Sequence, residues 1–300
     1  MNNNNKTYVS TYTERGSFGA VLLDYVMLVK LKLSLVVVMS SVLGYVIAAG
    51  AFISLFDVFR LIAGGLLVTG AANTFNQVLE KDFDIMMTRT ANRPIATGRL
   101  KTSDGVLFGG IMCLIGISIL ATFNPLTALI GMLSLILYAF VYTPLKRYST
   151  IAVAVGAIPG ALPVLIGATA FDGRLSLMAV CLFIIQFLWQ FPHFWSIGFL
   201  GYEDYQKAGF KLLPERLGKI DRNLGMSSLF YAFLILPLIA FMAIRLDVSL
   251  WSTAIVLLLT FGYMGLSFHF HKKFDRAAAM KLMFYSFFYL PFVLLAYWLL

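Results

Sequence analysis

Charged side chains are scarce in this sequence of 300 residues, because only 12% are Asp, Glu, Lys or Arg. A soluble domain carries about a quarter. Hydrophobic residues make up 60% of the chain, aromatic residues 15%, and the mean hydropathy is +0.86. This composition excludes an intrinsically disordered chain and an ordinary soluble enzyme. It predicts a polytopic membrane protein.

Cysteine and histidine are also scarce, with 2 and 3 residues. Cys113 and Cys181 both lie in apolar runs and show no metal-ligand spacing. This excludes a secreted disulfide scaffold and predicts two small buried side chains. The net charge of +9 would suggest a nucleic-acid partner in a soluble protein. In a membrane protein the distribution of that charge between loops is what matters, and we predict no nucleic-acid partner.

Nine apolar runs are close to the roughly 20 residues that a membrane-spanning helix needs. They do not alternate apolar and polar residues, as the strands of a membrane barrel do. We therefore predict an all-α, polytopic bundle of nine transmembrane helices, at residues 33–53, 61–79, 105–123, 126–142, 151–170, 177–200, 224–244, 250–270 and 277–300.

The positive charges predict the orientation of this bundle. With nine spans, all but three of the 23 Lys and Arg residues fall on one side; the exceptions are Arg60, Arg174 and Arg245. Positively charged loops stay in the cytoplasm, so we predict a cytoplasmic amino terminus. The first residues are too polar for a signal peptide. We interpret residues 1–20 as a cytoplasmic tail and residues 21–300 as a single transmembrane domain.

A polar stripe extends the second span into a long charged loop. Asn76, Glu80 and Asp84 are spaced i, i+4 and i+8, which places them on one face of a helix. One amide and two carboxylates in line are oxygen ligands suited to a Mg²⁺ ion that also binds substrate phosphates. Arg89 and Arg93 follow and can bind phosphate or carboxylate oxygens. The alternative is a solvated helix end whose acids and bases neutralise each other.

The residues of this loop resemble a known signature. The pattern Asn76-x3-Glu80-x2-Phe83-Asp84-x2-Met87-x-Arg89-Thr90-x2-Arg93-x4-Gly98 is similar to that of the UbiA prenyltransferase superfamily. It most resembles the haem O synthases (protohaem IX farnesyltransferases), because the Met-x-Arg-Thr-x2-Arg extension favours that branch. Further similar segments are DYVMLVKLKLSLVV from Asp24, YTPLKR from Tyr142, GAIPGALPVLIG from Gly156, WQFPHFW from Trp189 and EDYQKAGFKLLP from Glu203.

The resemblance implies transfer of a farnesyl group from farnesyl diphosphate to a vinyl group of haem B, with water supplying a hydroxyl. Haem B is then a substrate and Mg²⁺ the cofactor. Asn76, Glu80, Asp84 and Asp204 are implied to hold Mg²⁺ through the diphosphate. Lys146 and Arg147 are implied to clamp the phosphates, with Asp204 either on Mg²⁺ or orienting Lys146.

The resemblance also implies a set of substrate-binding side chains. Arg89 and Arg93 are expected to bind either the diphosphate or the haem propionates. Tyr142, Arg147 and Tyr205 are expected to complete the substrate site.

His193 follows Pro192 deep in the sixth predicted span. An ionisable group at that depth is costly to bury unless it is used or paired, so we expect His193 to bind haem. Axial ligation of the iron is one form of that role. The alternative is that its ring stabilises a kink at Pro192 by bonding freed backbone groups.

The resemblance places the protein in the inner membrane of a bacterium, with the active site facing the cytoplasm. The lipid bilayer is a partner, and haem A synthase and oxidase-assembly proteins are candidate protein partners.

The sequence departs from the family pattern at two places: Lys30-Leu31-Lys32 replaces Lys-Pro-Arg, and Ala208 stands where the wider superfamily often has a second aspartate. The number of Mg²⁺ ions therefore stays open. The alternative functions are prenylation of an aromatic quinone precursor and non-catalytic haem carriage.

Overall fold

The structure is a computed structural model that describes residues 17–299. Most of the predicted tail, residues 1–16, lies outside the described residues. Helix α1, Phe18–Val29, begins inside the predicted tail. The division into a tail and one transmembrane domain stays a prediction.

Within residues 17–299, nine helices are long and apolar enough to cross a membrane, which confirms the predicted all-α bundle. The spans are formed by α2 Leu31–Ala49, α3 Leu55–Asp84, α4 Thr102–Ala121, α5 Pro125–Ile136, the π segment Leu137–Tyr142, α6 Thr143–Leu145, α7 Ala152–Asp172, α8 Leu177–Leu200, α10 Asn223–Phe233, α11 Ile235–Arg245, α12 Leu250–Lys273 and α13 Arg276–Leu299. The fourth span, Pro125–Leu145, consists of α5, the π segment and α6, and the seventh, Asn223–Arg245, consists of α10 and α11. The cytoplasmic location of the amino terminus stays a prediction.

Three smaller elements lie outside the spans. Helix α1, Phe18–Val29, has 12 residues, too few to cross a bilayer, and was not predicted from the sequence. Helix α9, Tyr202–Lys207, follows α8. Strands β1, Glu215–Arg216, and β2, Lys219–Ile220, form a short antiparallel hairpin in which Glu215 pairs with Ile220.

Helix α3 begins six residues before the predicted start of the second span. Ser54 caps it, because its side chain accepts a hydrogen bond from the amide of Asp57 at 3.3 Å. Asp57 and Arg60 form an ion pair one turn apart. Because both residues are charged, the apolar run in the sequence starts only after them. As an ion pair one turn apart, however, they are compatible with the first turn of a helix. The 30-residue helix therefore runs unbroken from this cap to the polar stripe.

Helix α7 lies at the centre of the bundle and packs against α2, α5 and α8. Its contact with α2 depends on two glycines. A β-carbon on Gly167 would overlap the carbonyl oxygen of Ser41, and one on Gly44 would overlap the carbonyl oxygen of Val164. The two backbones therefore touch, as small residues allow in membrane bundles.

The two long charged loops meet at one end of the bundle. The first follows α3, the second follows α8, and Thr88 Oγ1 donates a hydrogen bond of 3.1 Å to Asp204 Oδ1 between them. The backbone amide of Lys211 also donates to the carbonyl oxygen of Lys146 at 2.6 Å, which ties the second loop to the fourth span. This end of the bundle holds most of the predicted site residues.

Candidate active site

The polar stripe on α3 is buried, not solvated. The exposed fractions of Asn76, Glu80 and Asp84 are 2%, 5% and 0%. These values contradict the solvated part of the alternative, whereas its other part, acids neutralised by bases, agrees with the ion pairs of Glu80 and Asp84. Buried carboxylates need a charged or hydrogen-bonding partner, because an isolated buried charge is costly.

Each carboxylate of the stripe pairs with one cation from elsewhere in the chain. Nη1 of Arg93 donates to both oxygens of Asp84 at 2.7 Å. Lys146, at the end of the fourth span, forms an ion pair with Glu80 Oε1. The structure therefore brings together four of the predicted site residues.

Asn76 joins these pairs through both ends of its amide. Its Nδ2 donates to Glu80 Oε2 at 2.8 Å and to Thr143 Oγ1 at 3.1 Å. Its Oδ1 accepts from Nζ of Lys30 at 3.1 Å. We call Lys30, Asn76, Glu80, Asp84, Arg93 and Lys146 the ionic cluster. It contains three basic side chains and two carboxylates, a set suited to an anionic ligand.

The π segment sets how the fourth span meets this cluster. Thr143 Oγ1 donates to the carbonyl oxygen of Tyr138 at 2.9 Å, five residues back. One helical turn later, Nζ of Lys146 lies 4.8 Å from the ring centre of Tyr142 and 5.3 Å from that of Phe210. The Lys146 amine is thus held between one carboxylate and two aromatic faces.

Asp204 does not orient Lys146, so that alternative is wrong. Its Oδ1 accepts from Thr88 Oγ1 at 3.1 Å and from Lys207 Nζ at 3.3 Å. The physical reason is that Asp204 lies on α9 beside the first loop, whereas the partner of Lys146 is Glu80. The role of Asp204 on Mg²⁺ stays a prediction.

Arg89, Arg147 and Tyr205, which are also predicted to bind substrate, contact side chains outside the ionic cluster. Nη2 of Arg89 donates to the hydroxyl of Tyr205 at 3.4 Å, near the surface. The guanidinium carbon of Arg147 lies 4.6 Å from the ring centre of Phe83. Both arginines thus contact an aromatic side chain.

His193 lies apart from these residues, in a contact between α8 and α13. Its Nδ1 is 2.7 Å from Ser286 Oγ, and its ring stacks on Trp189 and meets the edge of Phe287. The ring therefore does not stabilise a kink by bonding backbone groups freed at Pro192, and α8 continues through that proline. That alternative is wrong, because the Ser286 hydroxyl is the partner of the ring.

Burial changes the acidity of the groups at this end of the bundle. It lowers the pKa of Lys30 well below its ordinary value, and nearby Arg93 and Lys146 lower it further. It also lowers the pKa of Lys146, which the Glu80 carboxylate opposes. Desolvation raises the pKa of Asp204, but hydrogen bonds from Lys207 and Thr88 outweigh it and hold that pKa below its usual range.

The donor set of the ionic cluster fits one kind of metal site. Within residues 17–299 no three His, Cys, Asp or Glu side chains are placed to hold a metal together. Two carboxylates and an amide on one helix face are, however, the hard oxygen donors that Mg²⁺ accepts when phosphates and water complete its shell. A metal ion held by protein side chains alone does not fit.

Sequence reasoning missed several residues that build this site. Lys30 and Thr143 contact Asn76 directly, and Asn73 and Gln77 bind backbone carbonyls beside it. Asn73 and Gln77 continue the polar periodicity of α3, which was a usable signal. The contact of Lys30 was not predictable, because it depends on the packing of α1 and α2 against α3.

A bundle of membrane-length helices with buried ion pairs at one end defines an integral-membrane protein with a buried, charged site. The chain belongs to the UbiA prenyltransferase family, whose sequence model matches residues 37–290. The resemblance in the first charged loop is therefore confirmed.

Two curated relatives carry the name protoheme IX farnesyltransferase. The protein from Christiangramia forsetii is 37% identical over 282 residues, 93% of this chain and 93% of its own. The protein from Flavobacterium psychrophilum is 39% identical over 244 residues, 81% of this chain and 75% of its own.

Two solved structures share the fold. A structure of digeranylgeranylglyceryl phosphate synthase is 18% identical, with a TM-score of 0.78 over 93% of this chain and 97% of its own. A UbiA homologue from Archaeoglobus fulgidus bound to DMAPP and Mg²⁺ is 15% identical, with a TM-score of 0.61 over 92% of this chain and 100% of its own.

Proposed function

We propose that this protein transfers a farnesyl group from farnesyl diphosphate to a vinyl group of protohaem IX, giving a hydroxyethylfarnesyl haem. The observation that carries the proposal is the 37% identity to a protoheme IX farnesyltransferase along 93% of both chains. The reaction breaks the bond between farnesyl C1 and the diphosphate oxygen and forms a bond from C1 to a vinyl carbon. Water adds to the other vinyl carbon and releases a proton.

The ionic cluster is the proposed diphosphate site. Arg93 and Lys146 are each held by a carboxylate in the structure. When diphosphate enters, both cations can turn from carboxylate to phosphate oxygens without leaving the buried site. Cations aimed at the leaving oxygen stabilise the charge that develops as the C1–O bond breaks. Lys146 is thus the proposed catalytic cation.

We propose that Mg²⁺ acts with this cluster through the diphosphate. Asn76, Glu80 and Asp84 supply the oxygen donors, with Asp204 as the candidate from the second loop. Mg²⁺, when bound, neutralises the leaving diphosphate. The Archaeoglobus fulgidus homologue bound to DMAPP and Mg²⁺ has the same fold, which supports a metal-dependent reaction here.

The acceptor side of the proposed site uses aromatic and cationic groups. The ring of Tyr142 offers its π-face to positive charge, as its contact with Lys146 illustrates. Arg89, Arg147 and Tyr205 lie near the surface, where the propionates and the diphosphate would enter. His193, stacked on an indole ring, is the proposed contact for the porphyrin.

The protein is a multi-pass membrane protein. We propose that it resides in the inner membrane of a bacterium with the ionic cluster on the cytoplasmic side. The excess of Lys and Arg in the loops at that end supports this orientation.

The test is to incubate the purified protein in detergent with haem B, farnesyl diphosphate and Mg²⁺, and then measure the mass of the extracted haem. The expected product has gained one farnesyl group and one hydroxyl. Asp84→Asn should lower its formation about 10²–10³-fold. Asp82→Asn is the matched control, because Asp82 is exposed and lies two residues away on the same helix.

Other outcomes would overturn the proposal. Unchanged haem together with prenylation of a quinone precursor would assign the protein to that branch of the family. Binding of haem without any prenylation would indicate a carrier.

A further inference from the structure

Helices α1 and α2 are separated by a single residue with an unusual backbone. α1 ends at Val29, α2 begins at Leu31, and Lys30 between them has φ 49° and ψ 54°. This left-handed conformation is uncommon for residues with a β-carbon. Such a conformation persists where surrounding contacts hold it. If Lys30 were right-handed, α1 and α2 would form one continuous helix.

Gln77 on α3 holds the end of α1. Its Nε2 donates to the carbonyl oxygen of Met27 at 3.0 Å and to that of Leu28 at 2.9 Å. The last carbonyls of a helix have no partner within the helix, and in a buried position they need one. Gln77 is fully buried, so its amide supplies these hydrogen bonds where water does not reach.

Asn73, one turn earlier on α3, holds both the last residue of α1 and the first turn of α2. Its Nδ2 donates to the carbonyl oxygen of Val29 at 3.3 Å and to Ser34 Oγ at 3.1 Å. Ser34 Oγ in turn donates to the carbonyl oxygen of Val29 at 2.7 Å. Both sides of the break are therefore fixed to one face of α3.

The break directs Lys30 toward the ionic cluster. Its Nζ donates to Asn76 Oδ1 at 3.1 Å, and Asn76 lies between Asn73 and Gln77 in the sequence of α3. The same face of α3 thus holds the backbone on each side of Lys30 and receives its side chain. The side-chain amides of Asn73 and Gln77 donate to residues 27–29 and to Ser34, none of which belongs to the ionic cluster.

We propose that Gln77 and Asn73 are positioning residues that deliver the Lys30 ammonium to the diphosphate site by holding the break between α1 and α2. This inference rests on the proposed function, because it assumes that the ionic cluster binds diphosphate. It adds Lys30 as a diphosphate-facing cation and gives two side chains that act only through it.

The experiment measures binding of inorganic diphosphate with Mg²⁺ to the full-length protein in detergent by calorimetry, together with the KM for farnesyl diphosphate. The variants are Gln77→Met, Lys30→Met and the double variant. Gln186→Met is the matched control. Gln186 is also a buried glutamine, and its Nε2 donates to a backbone carbonyl, that of Gly160, at 2.9 Å.

Gln77→Met should weaken Mg²⁺–diphosphate binding about tenfold and raise the KM for farnesyl diphosphate, as expected when one charge-assisted hydrogen bond is lost. The KM for haem B should not change. Because Gln77 acts through Lys30, adding Gln77→Met to Lys30→Met should cause no further loss of binding. Gln186→Met should leave diphosphate binding within about twofold of the wild type.

If the double variant binds Mg²⁺–diphosphate more weakly than Lys30→Met alone, Gln77 has a purely structural role and the inference is overturned. The same conclusion follows if Gln77→Met and Gln186→Met weaken this binding equally. If Gln77→Met does not fold, Asn73→Ala carries the same comparison, because it removes only the support of Val29 and Ser34. A wild-type protein that fails to bind Mg²⁺–diphosphate would overturn the proposed function itself. Wild-type binding that neither variant weakens would overturn only the positioning role.

Discussion

Replacing Asp84 with asparagine removes one charge from the ionic cluster and changes almost no volume. Asp84 is fully buried, and its two oxygens accept from one nitrogen of Arg93. The Arg93 side chain is 16% exposed. Breaking a buried ion pair costs about 3–5 kcal/mol, because the other charge is left uncompensated. Because part of the Arg93 side chain reaches solvent, its unpaired charge costs less than a fully buried one. We therefore expect the free energy of unfolding to fall by about 2–3 kcal/mol.

The matched variant Asp82→Asn should change the free energy of unfolding by less than about 0.5 kcal/mol, because Asp82 is exposed. Thermal unfolding in detergent compares the two variants directly. Farnesyl transfer measured on the same samples should fall about 10²–10³-fold for Asp84→Asn, the usual loss when one preorganised group at a developing charge is removed. Asp82→Asn should stay close to the wild type.

The double variant Asp84→Asn, Arg93→Gln separates stability from catalysis. Removing both charges eliminates the uncompensated guanidinium, so stability should recover most of the loss. Activity should not recover, because the metal donor is still missing. Wild-type activity in Asp84→Asn would refute the metal-donor role of this carboxylate. Recovery of activity in the double variant would show that Asp84 serves only to neutralise Arg93.

Chelation of Mg²⁺ with EDTA should abolish prenyl transfer and leave haem B binding intact, as an absorbance titration of the haem would show; activity that survives chelation would contradict the proposed metal dependence. Gly167→Ala should lower the melting temperature by several degrees, since its β-carbon overlaps the carbonyl oxygen of Ser41, whereas Gly110→Ala, with no atom within 4 Å, should not. His193→Phe should raise the KM for haem B at least tenfold while Mg²⁺–diphosphate binding stays unchanged; an equal loss of both would place His193 in the diphosphate site instead.

The parts of the fold that depend on local periodicity were predictable from the sequence. Nine apolar runs predicted the nine spans, and the spacing of Asn76, Glu80 and Asp84 predicted that the three side chains share one helix face. Both patterns are read along a single segment, where the chain itself fixes the geometry. The α1 helix was missed because it is apolar but too short to match a span.

The pairing of the charges could not be predicted in the same way. Lys146 meets Glu80 across 66 positions of sequence, and the fourth span had to pack correctly before that contact existed. Spacing also gave no reason to choose Glu80 over Asp204 as the partner of Lys146. Long-range ion pairs depend on helix rotation and packing, and these are set by many weak contacts that one sequence does not rank.

The π segment Leu137–Tyr142 has a consequence for how related chains are compared. A π-helical turn holds one residue more than an α-helical turn of similar rise. In a straight α-helix one added residue rotates everything after it by about 100°, which would move Lys146 away from Glu80. The segment absorbs that rotation, so a relative lacking one residue here can keep the lysine on the same side. In an alignment with such a relative, a one-residue gap in the middle of this hydrophobic span would then be correct. Moving the gap to the next loop would align Tyr142, Thr143 and Lys146 with the wrong residues.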